Sequence, residues 1–136
     1  MARADLTIRQ GTTGRFSIRW PAVDLTLYDV YFQVRKTFAS TAELAAETPL
    51  IGLSIVNGVS TGNAIAYGDL VAGVRDSVSI TIGADLTALL INQDYNAEKP
   101  SHKADVLLVL KTDAAKERIR IAEFNVLVEP RVTVLA

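Results

Sequence analysis

The chain has no cysteine among its 136 residues. A disulfide framework and any thiolate zinc site are therefore excluded, while the redox compartment stays open. Histidine is nearly as scarce, with His102 the sole example. A zinc site would have to draw its other ligands from carboxylates, and a serine or threonine nucleophile would have one imidazole to call on. An excess of charge is missing too: 14 basic residues stand against 15 acidic ones, spread along the chain, which gives no electrostatic footprint for a phosphate backbone. No nucleic-acid partner is expected. No apolar run approaches the roughly 20 residues of a membrane helix, and Met1-Ala2-Arg3-Ala4-Asp5 leads straight into a polar-alternating segment without an apolar signal region. The expectation is a protein made in a cytoplasm that stays soluble and keeps away from membranes.

What is present is alternation. A chain of this length with 49% hydrophobic and 21% charged residues fits one folded domain over residues 1–136. Leu6 and Ile8, then Phe16, Ile18 and Trp20, then Val30, Phe32 and Val34 recur at every second position with polar residues between them, the period of half-buried strands. Gly11 and Gly14 between the first two read as hairpin glycines, and they do not form a phosphate cradle because no helix opens after them. Ser40 and Glu43 make a capping box before an Ala-rich stretch of one or two helical turns that Pro49 ends. Leu50 to Val56 is a strand-length apolar stretch stopped by Asn57-Gly58, which predicts a hairpin or tight loop. A weak edge strand and loop follow, from Ser60 to Gly73.

Val78, Ile80 and Ile82 define a strand with one wet face. Asp85 is the expected N-cap of a short helix whose Leu86, Leu89 and Leu90 plug the open end of the core. From Asn92 to Ala104 the chain is polar and reads as the longest loop, with His102 solvated in it. Val106 to Leu110 is continuously apolar, as in a central strand covered on both faces. In the next strand Ile119 and Ile121 are odd-numbered whereas Phe124, Val126 and Val128 are even-numbered, so the strand needs an extra residue, a β-bulge near Ala122 and Glu123. Pro130 stops the ladder, and Val132 to Leu135 forms either a last strand of its own sheet or an arm, residues 130–136, that docks on a partner. Seven or eight strands with turn signals about every 8 to 12 residues describe an all-β, antiparallel β-sandwich of immunoglobulin-like or jelly-roll-like kind with one or two short helical segments.

No reactive constellation accompanies this framework. Asp24, Asp69, Asp76, Asp85 and Asp113 sit in turn or cap contexts, and no carboxylate pair has a spacing that demands acid and base work. Catalytic, metal and cofactor-binding residues are accordingly expected to be none. Trp20, Tyr28, Tyr31, Tyr67 and Tyr95 are the rings able to stack on a sugar, but Trp20 shares parity with Phe16 and Ile18 and belongs to the core. Tyr31 lies on the parity opposite to Val30 and Phe32, which makes it a surface or inter-subunit residue. The residues expected at interfaces are Tyr31, Tyr95, His102, Val132, Val134 and Leu135.

Asp5-Leu6-Thr7-Ile8-Arg9-Gln10-Gly11, Phe16-Ser17-Ile18-Arg19-Trp20, Asp24-Leu25-Thr26-Leu27-Tyr28 and Gln33-Val34-Arg35 together resemble small structural proteins of tailed bacteriophages, of tail and baseplate type. The β-sandwich of such proteins is similar to the N-terminal domain of upper baseplate proteins. The likeness continues through Asp76 to Ile82, Asp85 to Leu90 and Phe124 to Pro130. It departs at Leu27, where a turn glycine is usual, and at Asn92 to Ala104, which is longer and lacks the usual Gly-x-Tyr lead. The resemblance implies a non-enzymatic virion component made in the bacterial host cytoplasm, with copies of itself and other virion proteins as partners. Two alternatives stand beside a tail, baseplate or neck adaptor: a carbohydrate-binding sandwich for host-surface glycans, and a capsid decoration protein.

Overall fold

The computed structural model describes residues 2–36, 49–90, 102–112 and 118–129. They form an all-β sandwich of two sheets. The larger has six strands in the order β1 (Ala2–Arg9), β9 (Arg118–Glu129), β8 (His102–Leu110), β3 (Tyr28–Lys36), β4 (Ile51–Val56) and β5 (Val59–Ser60). The smaller has three: β2 (Gly14–Arg19), β7 (Ser77–Ile82) and β6 (Ile65–Tyr67). The capping-box segment around Ser40 to Glu47 lies outside the described residues.

The alternation read from the sequence becomes the two faces of each sheet. Val30, Phe32 and Val34 on β3, Val106 and Leu108 on β8, and Val78, Ile80 and Ile82 on β7 are all fully or nearly fully buried. Phe16 ties the layers together: its ring stands edge-on to Phe32 at 5.4 Å and to Phe124 at 5.8 Å, so one side chain of the small sheet meets two of the large one. Trp20 is half-buried against this core, as its parity requires.

Asn57 and Gly58 both take positive φ, 51° and 79°, and close the β4–β5 hairpin, with the Asn57 N–H held by the Asp29 carboxylate at 3.0 Å. The predicted bulge is present one residue early. Val106 pairs with Ala122 but Leu107 pairs with Arg120, which leaves Ile121 as the extra residue that lets Ile119, Ile121 and Phe124 all pack on the core.

Several expectations give way. Gly11 and Gly14 do not close a hairpin, because β1 lies in the large sheet and β2 in the small one; the turn carries the chain between layers, with Gly11 at φ 77°. All strand pairs are antiparallel except one: β1 runs parallel to β9, from Ala2 beside Ala122 to Arg9 beside Glu129. His102, Lys103 and Ala104 belong to β8 and not to a loop, since the inward parity of Val106 and Leu108 continues back through Ala104 to His102. His102 is consequently buried (1% exposed) and not solvated.

Val106 to Leu110 is central in its sheet but covered on one face only, with Leu107 and Val109 half-buried on the other. The short helix α1 (Ala84–Thr87) is capped by the extended Gly83, and Asp85 sits inside its first turn, where a negative charge complements the helix dipole. Leu90 fills the core end as expected, yet Leu89 points outward.

Candidate functional site

The outward parity of β3, β8 and β9 builds a surface where polar and apolar groups converge on a concavity. Asp29, Tyr31 and Gln33 from β3, Asp105, Leu107 and Val109 from β8, and Arg118 and Arg120 from β9 line a groove of about 460 Å³. Asp105 and Arg120 continue into an adjoining hollow of about 170 Å³ with Arg35, Lys103, Glu123 and Asn125. Side chains meet there because neighbouring strands place equal-parity residues side by side: Tyr31 is opposite Leu107, and Leu107 opposite Arg120. The bulge at Ile121 sets this geometry, since it brings Arg120 level with Leu107 while Glu123 stays level with Asp105.

Arg120 is the hub. Its Nε lies 3.1 Å from Asp105 Oδ2 and its Nη1 donates to Glu123 Oε1 at 3.1 Å. Partial burial pushes the Asp105 carboxyl upward and Glu123 adds to that, against the downward pull of Arg120 and Arg35. At the far end of the groove the Asp29 carboxylate is buried and committed to the Asn57 turn. The groove thus carries charged groups on both sides of a short apolar strip of Tyr31, Leu107 and Val109, with the ion pairs at the Arg120 end. It suits contact with another polar surface, and among the described residues it brings no nucleophile up to a base. No group of three potential metal ligands occurs among the described residues.

The other candidates are dispersed. Of those described, Tyr31 alone lies in the groove, half-buried on the outer face where its parity put it. His102 is in the core layer, its imidazole pushed toward the neutral form by burial and, less, by Lys36. Tyr67 is tied inward, its hydroxyl donating to the Tyr28 carbonyl at 2.7 Å, with burial raising its phenol and the Lys111 ammonium 5.9 Å from its ring. Tyr95, Val132, Val134 and Leu135 lie outside the described residues.

Asp76 lies in the link between the 71–74 turn and β7, but its side chain does not face solvent as a turn residue's would. It is buried (1% exposed) with Oδ2 on Arg19 Nε at 2.9 Å and Oδ1 without a hydrogen-bond partner. Asp24 does cap, accepting from the Thr26 hydroxyl at 2.6 Å and the Thr26 N–H at 3.1 Å at the head of the 3-10 turn Leu25–Leu27, and that hydroxyl and amide hold its carboxyl below the usual range.

Sequence reading missed Asp105, Arg118 and Arg120. The signal for them was available in the apolar Leu107 and Val109, which occupy the outward parity of a strand whose other outward residues are charged. No family model and no curated protein matches the chain.

Proposed function

We propose that this chain is a non-enzymatic structural protein of a tailed-phage virion, an adaptor at tail, baseplate or neck that works in several copies through sheet edges and loops. The observation that carries the assembly part is the state of the sheet margins. Among the described residues, β1 and β2 each pair with one neighbour only, so two strands of 8 and 6 residues keep one edge open. Such edges are templates for a further strand, and assembly proteins put them to use. The phage assignment rests on the resemblance of Asp5 to Arg35 and of the later segments. Mass spectrometry of purified virions from the source phage tests it: the chain is expected at a stoichiometry of several copies per particle, and its absence from intact particles refutes the assignment.

The second reading, a glycan-binding sandwich, draws on the groove, where Tyr31 stands among Asp29, Gln33 and Asp105. Saturable binding of an oligosaccharide in calorimetry, lost on Tyr31→Ala, would favour it over the adaptor.

A further inference from the structure

We infer that two copies of this chain pair through β1, antiparallel and two-fold symmetric about Thr7, extending the six-stranded sheet across both molecules. The inference rests on the assembly reading above and deepens it by naming the edge, the register and the partner, a second copy.

The backbone sets which atoms are on offer. The Gln10 N–H donates to the Glu129 carbonyl at 2.9 Å, so the even-numbered residues of β1 direct their amides and carbonyls toward β9. The odd-numbered ones, Asp5, Thr7 and Arg9, therefore direct theirs to the opposite edge, which is open among the described residues. Arg9 confirms the direction, because its carbonyl accepts from the Thr12 amide and hydroxyl, outside the ladder. The side chains of Asp5, Thr7 and Arg9 are exposed.

A two-fold axis perpendicular to the sheet keeps inner faces with inner faces, so residues on opposed positions share parity. Two registers oppose aspartate to arginine: centring on Ala4 brings Asp5 to Arg3 with two edge-facing residue pairs inside β1, whereas centring on Thr7 brings Asp5 to Arg9 with three, so the second is favoured. Centring on Asp5 opposes two aspartates; centring on Leu6 opposes Asp5 to Thr7 and leaves Arg9 unpartnered by a carboxylate. Centring on Thr7 opposes Asp5 of each copy to Arg9 of the other and Thr7 to Thr7, while Leu6 meets Ile8 on the inner face. Glu129 already holds Arg9 Nε at 3.0 Å, but the guanidinium fork offers further donors and its side chain is 76% exposed. The open edge of β2 lacks this property, since its outward residues Arg15, Ser17 and Arg19 oppose arginine to arginine or to serine in every even register.

With the Arg9 carbonyl occupied, the pairing makes about four backbone hydrogen bonds and two charge pairs. That is a small interface, so the free protein dimerises with a dissociation constant of order 0.1 mM, and a multivalent particle strengthens the contact.

Sedimentation equilibrium of the full chain between about 10 µM and 1 mM reads the mass directly. The wild type is expected to pass from monomer to dimer, and Thr7→Pro to remain monomeric with an unchanged circular dichroism spectrum and melting temperature, because the amide it removes faces the open edge and not β9. Asp5→Arg and Arg9→Asp each set like charges opposite one another and weaken the dimer by about tenfold or more, and the double exchange restores it. A wild-type protein that stays monomeric throughout, or a dimer indifferent to Thr7→Pro and to the single charge changes, overturns the inference. Its failure leaves the virion assignment standing if the chain is found in particles; a chain that dimerises through β1 but is absent from particles refutes that assignment alone.

Discussion

Replacing Phe16 by alanine removes the side chain through which the small sheet touches two rings of the large one. A buried phenylalanine cut to alanine costs about 3–5 kcal/mol, and since Phe16 is half-buried the lower figure, about 3 kcal/mol, applies. Of this, the edge-on contacts with Phe32 and Phe124 contribute on the order of 1 kcal/mol each beyond burial. For a domain of this size the loss lowers the melting temperature by roughly 10 °C. Urea unfolding at constant slope gives the free energy, and a double-mutant cycle of Phe16→Leu with Phe32→Leu isolates the ring contact at about 1 kcal/mol while keeping the volume largely filled. A loss under about 1 kcal/mol for the alanine variant, or a coupling of zero in the cycle, would refute the claim that Phe16 joins the sheets.

Three further outcomes are expected. Tyr67→Phe leaves the Tyr28 carbonyl without its 2.7 Å donor and lowers stability by about 1 kcal/mol in the same urea assay. Gly58→Ala forces a side chain onto φ 79° and costs about 1 kcal/mol, whereas alanine at Gly83, with φ −63°, is tolerated; thermal melts of the two compare them. His102 has its folded pKa depressed by burial, so the unfolded chain binds the proton first: its contribution is fully present above the unfolded value of about 6.5 and is lost as pH falls below it. Urea midpoints measured from pH 7.5 down to about 5 should fall, and His102→Leu should flatten that slope.

Alternation revealed the faces of strands more reliably than their partners. Phe16, Ile18, Val78 and Ile80 lie inward as their period demands, and even the bulge was legible, because a parity switch between Ile121 and Phe124 has no other covalent solution. Periodicity carries no information about which sheet a strand joins, so Gly11 and Gly14 looked like a hairpin although they span the layers. His102 was misplaced for a related reason. Its inward position is held by a polar ring and the next by Ala104, which hides the strand until Val106. The groove was half-visible: Tyr31 announced itself by parity, but Asp105 and Arg120 come from strands whose juxtaposition depends on the bulge register.

The parallel union of β1 and β9 also orders events in time. Their paired residues stand 120 positions apart, as Arg9 and Glu129 do, so β1 leaves the ribosome long before the strand that must receive it exists. The β3–β4 pair closes from nearby residues, whereas β1 cannot pair until β9 has been made, and loop closure over such a span is slow. Until then Leu6 and Ile8 are unprotected. Nascent chains truncated ahead of Arg118 should therefore be held in a protease-sensitive, chaperone-dependent state that full-length translation relieves.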